Sequence, residues 1–215
     1  MNAENLPRNS TSVKPMARSR NQTARREALI EATYSAGFRR GLRSLSLTDI
    51  AEQAGLSRGT ILYYYGDLDG LLVDAHAAGV ARYCDQRDQT IATLDDPRDQ
   101  LAAAIDVGLP TGPDDALMRL LYEFDFLAGQ SALHDELVQK LYLRQSETYV
   151  RVFAAGRAAG VFTPTLDDQQ LAMTFVALED AYGLHIVGGN ALITVPMAKT
   201  AMRIVADQLG CPTPS

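Results

Sequence analysis

The stretch from Ser46 to Tyr65, SLTDIAEQAGLSRGTILYYY, constrains the fold most strongly because it contains the signals for two short helices and the turn between them. Ser46, with Asp49 three residues later, has the spacing of a capping box. Gly55 stands where the first helix must end, and a left-handed conformation costs glycine little. Ser57 is suited to cap a second helix from Arg58 to about Tyr64. The spacing predicts a helix-turn-helix, and an ordinary helical hairpin in an all-α domain remains the alternative.

The second helix has one face that suits the major groove of DNA. Ile61 and Leu62 are predicted to face inward, which leaves the polar and aromatic side chains outside. Arg58 is the best candidate for a guanine contact, and Gly59 permits close approach of the backbone. The capping serines also lie where they would meet phosphates. The predicted DNA-binding residues are Ser46, Thr48, Ser57, Arg58, Gly59, Thr60, Tyr63 and Tyr64.

The net charge of −6 is distributed unevenly along the chain. Residues 1–66 carry ten Lys and Arg against five Asp and Glu, whereas the remainder carries ten against twenty-one. The first part is therefore basic and the second strongly acidic. This asymmetry is typical of a nucleic-acid-binding domain joined to a module that does not bind DNA, although chance clustering on a solvated surface is the alternative.

The segment from about Thr23 to Leu72 resembles the DNA-binding domain of the TetR family of one-component regulators. The resemblance rests on Leu29 to Ala36, Gly41, Asp49-Ile50-Ala51, Ala54 to Ser57, Gly59-Thr60, Tyr64-Tyr65 and Leu71-Leu72. Within the family, GTILYYYGDLDGLL is similar to the BetI-type repressors of choline–glycine betaine genes. Two positions depart from the family pattern. Leu62 replaces a common tyrosine and Leu68 a common lysine, so one contact with the phosphate backbone is missing.

The remaining sequence predicts an all-α protein, because helix start and stop signals recur and no convincing strand alternation occurs. We predict a disordered basic tail over residues 1–20, a three-helix helix-turn-helix domain over 21–67, and an effector-binding and dimerisation domain over 68–211. The first helix is expected to begin at about Thr23. No apolar run is long enough for a membrane helix, and the N-terminus has no apolar core of the kind that a signal peptide requires. Two cysteines form no disulfide framework, which favours a cytoplasmic location.

A helix predicted from Pro113 to Gln130 is apolar on two sides. Such a helix is either buried in a core or lines a cavity. In the second interpretation, carboxylates beside aromatic rings would bind a small-molecule effector, with an organic cation favoured by cation–π attraction. The resemblance, which implies choline-like effectors, agrees with that interpretation. The predicted ligand-binding residues are Tyr83, Tyr122, Glu123, Phe126, Tyr149 and Glu179.

The last two helices are predicted to form a homodimer. The stretch FVALEDAYGLHIVGGN resembles the corresponding BetI-type segment, and small residues in it permit close helix packing. The final helix has a broad apolar stripe that includes Met197, Ile204 and Leu209. In the TetR family, two such helices from each chain form a four-helix bundle. A twofold dimer would place two recognition helices about one DNA turn apart.

The sequence gives no support for an enzyme, a cofactor or a metal site. His76, His134 and His185 are distant along the chain and lack metal-ligand spacing. The acid pairs stand at predicted helix starts, where capping explains them. We therefore predict a dimeric repressor released from a palindromic DNA operator by a small-molecule effector. The alternative is a small-molecule binding or sequestering protein with a degenerate helix-turn-helix, which Leu62 and Leu68 favour.

Overall fold

The computed structural model of the protein describes residues 14–127, 129 and 132–214. These residues form helices joined by short turns, and they include no β-strand. A single 3₁₀ turn, Leu42–Ser44, follows the first helix. In chain order, the α-helices are α1 (Lys14–Arg40), α2 (Leu47–Ala54), α3 (Arg58–Tyr65), α4 (Leu68–Ala92), α5 (Pro97–Gly108), α6 (Ala116–Asp125), α7 (Ala132–Ala158), α8 (Asp168–Val187) and α9 (Val195–Gln208). The all-α prediction is confirmed.

Helix α1 begins earlier than the sequence pattern predicted. It starts at Lys14 rather than Thr23, so the predicted disordered tail overlaps the helix from residue 14 onward. The residues that extend it are mostly strong helix formers such as Met, Ala, Arg and Gln, and Pro15 is tolerated in a first helical turn. The rest of the predicted tail, residues 1–13, lies outside the described residues.

The N-terminal core joins the first three helices to parts of the following domain. Leu29, Ile50 and Ile61 are fully buried in it, one from each of α1, α2 and α3. Leu120 and Phe124 of α6 are buried in the same cluster. The boundary predicted at residue 67 therefore does not coincide with the edge of a hydrophobic core, because this core contains residues from both sides of it.

The second core lies between α5, α7, α8 and α9. Aromatic side chains fill its centre, where Phe153 packs against Tyr149, Phe162 and Phe175. Gly156 allows this packing, because a β-carbon there would overlap the Phe162 ring. This cluster holds the C-terminal helices in a fixed arrangement around α7.

One helix end differs from the sequence prediction. Helix α6 ends at Asp125 rather than Gln130, with Phe126 as its C-terminal cap. Helix α8 is capped by Asp167 with Gln170 in a capping box, and its first buried residue, Leu171, follows directly.

A smaller apolar cluster connects the two cores. Val80, Tyr83 and Cys84 of α4 pack in it against Met118, Leu121 and Tyr122 of α6. Cys84 and Cys211 are both buried free thiols, and burial raises the pKa of each to about 11. None of the helices over the described ranges combines the length and apolar character that a membrane span requires.

Candidate functional site

Local hydrogen bonds fix the geometry of the helix-turn-helix. The Ser46 hydroxyl accepts from the Asp49 N–H while the Asp49 carboxylate accepts from the Ser46 N–H, so the predicted capping box is present. Gly55 has φ 63° and ψ 36°, the left-handed conformation that the turn requires. Ser57 caps α3 by accepting from the Thr60 N–H at 3.1 Å. These contacts orient α3 independently of any ligand.

Helix α3 has one buried residue and a broad outer face. Ile61 is fully buried, whereas Tyr63 is 71% exposed. Leu62 was expected to face inward, but it is 37% exposed. The side of α3 that packs on the core contains Ile61, Tyr64 and Tyr65 instead. Tyr64 is half-buried, and its ring meets the Tyr63 ring edge to face at a centroid distance of 5.2 Å.

The outer face of this motif carries the predicted DNA-binding side chains. Ser46, Thr48, Ser57, Arg58 and Gly59 are exposed, and Thr60 is half-buried beneath the Ser57 cap. Arg58 makes no ion pair or hydrogen bond with any described residue, so its guanidinium is available to a partner. Arg26 of α1 braces the end of α3 by donating to the Tyr64 carbonyl at 3.1 Å. Most of the predicted residues are therefore accessible to a partner, and their role in DNA binding stays a prediction.

A cavity of about 110 Å³ lies between α4, α6, α7 and α8. Tyrosine and apolar side chains form most of its wall, and Gln145 is an uncharged polar group in it. Among the residues that the structure describes, its lining includes no Lys, Arg or His side chain. The lining residues are Tyr83, Met118, Leu121, Tyr122, Asp125, Val138, Leu141, Tyr142, Gln145 and Asp180.

Two carboxylates give this cavity its charge. Burial raises the pKa of Asp125 to about 6. Burial, together with the negative charges of Glu179 and Asp125, raises the pKa of Asp180 to about 7. Both side chains keep solvent access at the cavity edge. The site therefore resists holding two negative charges when it is empty.

Behind the cavity lies a buried ion pair between Arg87 and Glu179. The guanidinium donates to both carboxylate oxygens, at 2.6 and 3.0 Å. Burial opposes the charge on Arg87, but the Glu179 carboxylate outweighs burial and raises the Arg87 pKa. Burial likewise raises the pKa of Glu179 against the attraction of Arg87. The Tyr149 hydroxyl donates to Glu179 at 2.5 Å, so the carboxylate is fully engaged.

The cavity and the ion pair share two tyrosines. The Tyr83 hydroxyl accepts from Arg87 at 3.1 Å and donates to the Gly108 carbonyl, while its ring lines the cavity. The Tyr122 hydroxyl donates to the Glu179 carbonyl at 3.4 Å. Burial raises the pKa of both phenols, so they remain neutral donors.

The six predicted ligand-binding residues occupy different places around this region. Tyr83 and Tyr122 line the cavity, and Tyr149 and Glu179 belong to the ion-pair network behind it. Glu123 instead accepts from the Leu42 N–H at 2.6 Å, at the junction with the helix-turn-helix domain. Phe126 is 56% exposed beyond the end of α6. The prediction for this set remains untested by any bound ligand.

Sequence reasoning did not select Asp125, Asp180 or Arg87. One signal was available, because Arg87 lies four residues after Tyr83 and so shares its helix face. No comparable signal marked Asp180, which follows Glu179 directly in the sequence. Asp180 lines the cavity, whereas Glu179 lies in the ion pair behind it.

The structure brings together two histidines that are far apart in sequence. The Nδ1 atoms of His76 and His134 lie 3.3 Å apart, and His76 stacks on Phe124 at 4.2 Å. Burial and the neighbouring His134 lower the pKa of His76 to about 4. In the part of the chain that is described, no cluster of three or more His, Cys, Asp or Glu side chains is arranged to hold a metal. The stacked rings therefore pack α4 against α7, and His76 does so as an uncharged ring.

Comparison with known proteins gives a consistent assignment. Residues 29–75 match the family model described as bacterial regulatory proteins, tetR family. The HTH-type transcriptional regulator BetI of Stenotrophomonas maltophilia is 37% identical over 90 residues, which are 40% of this chain and 44% of that protein. BetI of Burkholderia ambifaria is 31% identical over 120 residues, 54% of this chain and 59% of its own length. The chain thus spans about half the length of the curated relatives it matches.

Solved structures match over nearly the whole chain. A protein from Saccharomonospora viridis, crystallised in complex with choline, has a TM-score of 0.80 at 22% identity and covers 86% of this chain and 96% of that one. A TetR transcription regulator from Haloarcula marismortui has a TM-score of 0.79 at 21% identity and covers 87% and 98%. At these identities the likeness establishes the fold. The chain therefore combines this fold with a segment, residues 29–75, that is similar to the tetR family of bacterial regulatory proteins and to BetI.

Proposed function

We propose that the protein is a ligand-responsive transcriptional repressor that binds a DNA operator as a homodimer, acts in the cytoplasm, and is released by a small organic cation. The observation that carries the proposal is the position of α6 between two sites. Tyr122 and Asp125 on this helix line the acidic cavity, while Leu120 and Phe124 are buried in the core beneath the helix-turn-helix. One short helix therefore contacts both sites.

A specific contact links α6 to the DNA-binding module. The Glu123 carboxylate accepts from the Leu42 N–H in the 3₁₀ turn and from Arg119 on its own helix. A ligand that moves the Tyr122 face of α6 would move this contact and the core residues beside it. Such a shift would change the separation of the two recognition helices in a dimer, which favours release from DNA.

Helices α8 and α9 supply the proposed dimer surface. Met173, Ala177, Ala181 and Leu184 are exposed along one side of α8 at helical spacing. On α9, Met197 and Ile204 are each 53% exposed. Exposed apolar side chains in register on neighbouring helices suit packing against the same surface of a second copy.

The effector class follows from the cavity and from one structural relative. Carboxylates and tyrosine rings without a competing cation favour an organic cation. The Saccharomonospora viridis protein of the same fold was crystallised with choline. We therefore propose choline as the test effector, with its uncharged carbon isostere dimethylbutanol as the control.

A second candidate function is ligand binding or sequestration without DNA recognition. The exposed Leu62 supports it, because this apolar side chain occupies the outer face of α3 where a polar side chain would contact phosphates. Selective DNA binding separates the two candidates.

The test uses fluorescence anisotropy with labelled DNA from immediately upstream of the protein's own gene and a scrambled duplex as control. We expect sequence-selective binding that weakens steeply with added salt, because phosphate contacts release counterions. If no selective binding is found there, selection of bound fragments from the whole genome follows. Failure of both would favour the sequestering function.

Replacing Arg58 tests the recognition helix. We expect Arg58→Ala to weaken operator binding by about 1–3 kcal/mol while the protein sediments as the wild type does. Lys140→Ala, an exposed residue of α7, removes the same charge away from the motif and serves as the matched control. Equal affinities for the two variants would contradict the assignment of α3.

A further inference from the structure

The carboxylates of Asp125 and Asp180 have no partner within the described part of the chain. Neither makes a hydrogen bond or an ion pair there, although charged neighbours are common elsewhere on the surface. The remaining lining residues are tyrosines, apolar side chains and one glutamine. No described residue therefore neutralises the negative charge that the cavity presents.

The shape of the cavity limits what could neutralise that charge. Its volume of about 110 Å³ is similar in scale to the ~150 Å³ cavity that holds benzene in an engineered protein. Tyr83, Tyr122 and Tyr142 present aromatic surface to the same space. A compact cation with an apolar surface satisfies both the rings and the carboxylates, whereas a strongly hydrated metal ion would leave the rings without a favourable contact.

Burial and the neighbouring negative charges raise the pKa of Asp180, which favours a proton at the empty site. On α6, Asp125 and the neutral phenol of Tyr122 face Asp180, and on α8 its neighbour is Glu179. From α4 come the neutral phenol of Tyr83 and the Arg87 cation, whose charge Glu179 already balances. From α7 come Tyr142 and the uncharged Gln145. Within the described ranges, no further positive charge lines the cavity to hold both aspartates ionised.

We propose that Asp125 and Asp180 together bind one singly charged organic cation and that its entry displaces to solvent a proton which the pair holds when the site is empty. Charge balances in this exchange, because one positive charge replaces another between the same two carboxylates. The inference rests on the proposed function only in taking this cavity as the effector site. This exchange makes cation binding by the protein depend on pH as well as on ligand concentration.

Isothermal titration calorimetry on the full chain without DNA tests the proposal. Choline is expected to bind about tenfold more tightly at about pH 8 than at about pH 6, because the pair loses its proton over that interval. Titrations in buffers of different ionisation enthalpy are expected to show proton release on binding near pH 6. Dimethylbutanol is expected to bind more weakly and without pH dependence.

Two substitutions assign the effect to the pair. Asp180→Asn and Asp125→Asn are each expected to weaken choline binding about tenfold, and Asp180→Asn is also expected to remove most of its pH dependence. Asp114→Asn makes the same charge change at an exposed position outside the cavity and is expected to bind as the wild type does. Far-ultraviolet circular dichroism checks that all three variants fold.

Three results would overturn the proposal: absence of choline binding, equal binding of dimethylbutanol, or unchanged pH dependence in Asp180→Asn. Because no DNA is present, these results are independent of operator recognition. Choline binding with proton release, but without selective DNA binding, would support the proposed role of the carboxylate pair and contradict the proposed regulatory function.

Discussion

Glu179 and Asp180 are consecutive residues of α8, yet their carboxylates have opposite surroundings. Glu179 is fully buried and bonded to Arg87 and Tyr149, so its charge and lone pairs are satisfied within the protein. Asp180 lies at the cavity edge, where no described residue neutralises it. The first arrangement holds helices together, and the second leaves charge for a ligand. A buried carboxylate whose hydrogen bonds and charge are satisfied within the protein indicates a structural role. A carboxylate without such partners in a cavity indicates a binding role.

Breaking the ion pair between Arg87 and Glu179 should have the largest effect on the stability of the protein. Arg87→Met leaves Glu179 buried without its cation, so we expect a loss of about 3–5 kcal/mol in the free energy of unfolding. The double variant Arg87→Met with Glu179→Met removes both charges and is expected to recover a large part of that loss. Urea unfolding followed by circular dichroism measures both. A double variant as unstable as the single one would contradict the role assigned to the pair.

A smaller effect is expected where the two sites meet. Gly183→Ala adds a β-carbon that would overlap the Tyr122 hydroxyl, and this ring lines the cavity while its hydroxyl bonds the Glu179 carbonyl. We expect destabilisation of about 1–2 kcal/mol from overpacking, together with weaker choline binding. Gly112→Ala meets no atom within 4 Å and is the matched control. Choline affinity equal to that of the control would show that the Tyr122 position does not shape the cavity.

The contribution of Asp180 to folding stability should change with pH in the opposite direction from that of an ordinary carboxylate. Asp180 has a pKa of about 7 in the folded protein against an ordinary 3.8, so the folded state keeps a proton that the unfolded chain has released. Its contribution to stability is therefore full below about pH 4 and is lost as the pH rises through 7.

Asp180→Asn removes this dependence. Relative to the wild type, we expect its melting temperature to be unchanged near pH 4 and higher by about 1–3 °C near pH 8, after allowing for solvent screening at this accessible position. Thermal unfolding across that range checks the difference. A variant that loses stability at pH 8 would mean that the Asp180 carboxylate has a stabilising partner.

The sequence predicted the helix-turn-helix well because its signals are local. Ser46, Asp49 and Gly55 act within a few residues of one another, so spacing alone predicts the capping box and the turn. The inward orientation predicted for Leu62 was wrong because periodicity does not reveal how far a core extends over so short a helix. Helix α1 begins early for a similar reason, since strong helix formers continue beyond the apolar face.

The cavity is harder to predict because its residues come from four separate helices. Tyr83, Asp125, Gln145 and Asp180 become neighbours only after α4, α6, α7 and α8 pack together. The same holds for the contact between His76 and His134, whose positions are 58 residues apart. Aromatic and acidic composition indicated the kind of ligand, but it did not distinguish a carboxylate bonded to Arg87 from one that faces the cavity.

Operator release by a cation tests the account most directly. The wild type and the double variant Asp125→Asn with Asp180→Asn are each bound to labelled operator DNA and titrated with choline or dimethylbutanol at about pH 8. We expect both proteins to bind DNA and choline to lower the anisotropy only for the wild type, while dimethylbutanol has no effect on either. Operator binding that choline leaves unchanged in the wild type, or releases equally in the double variant, would contradict it.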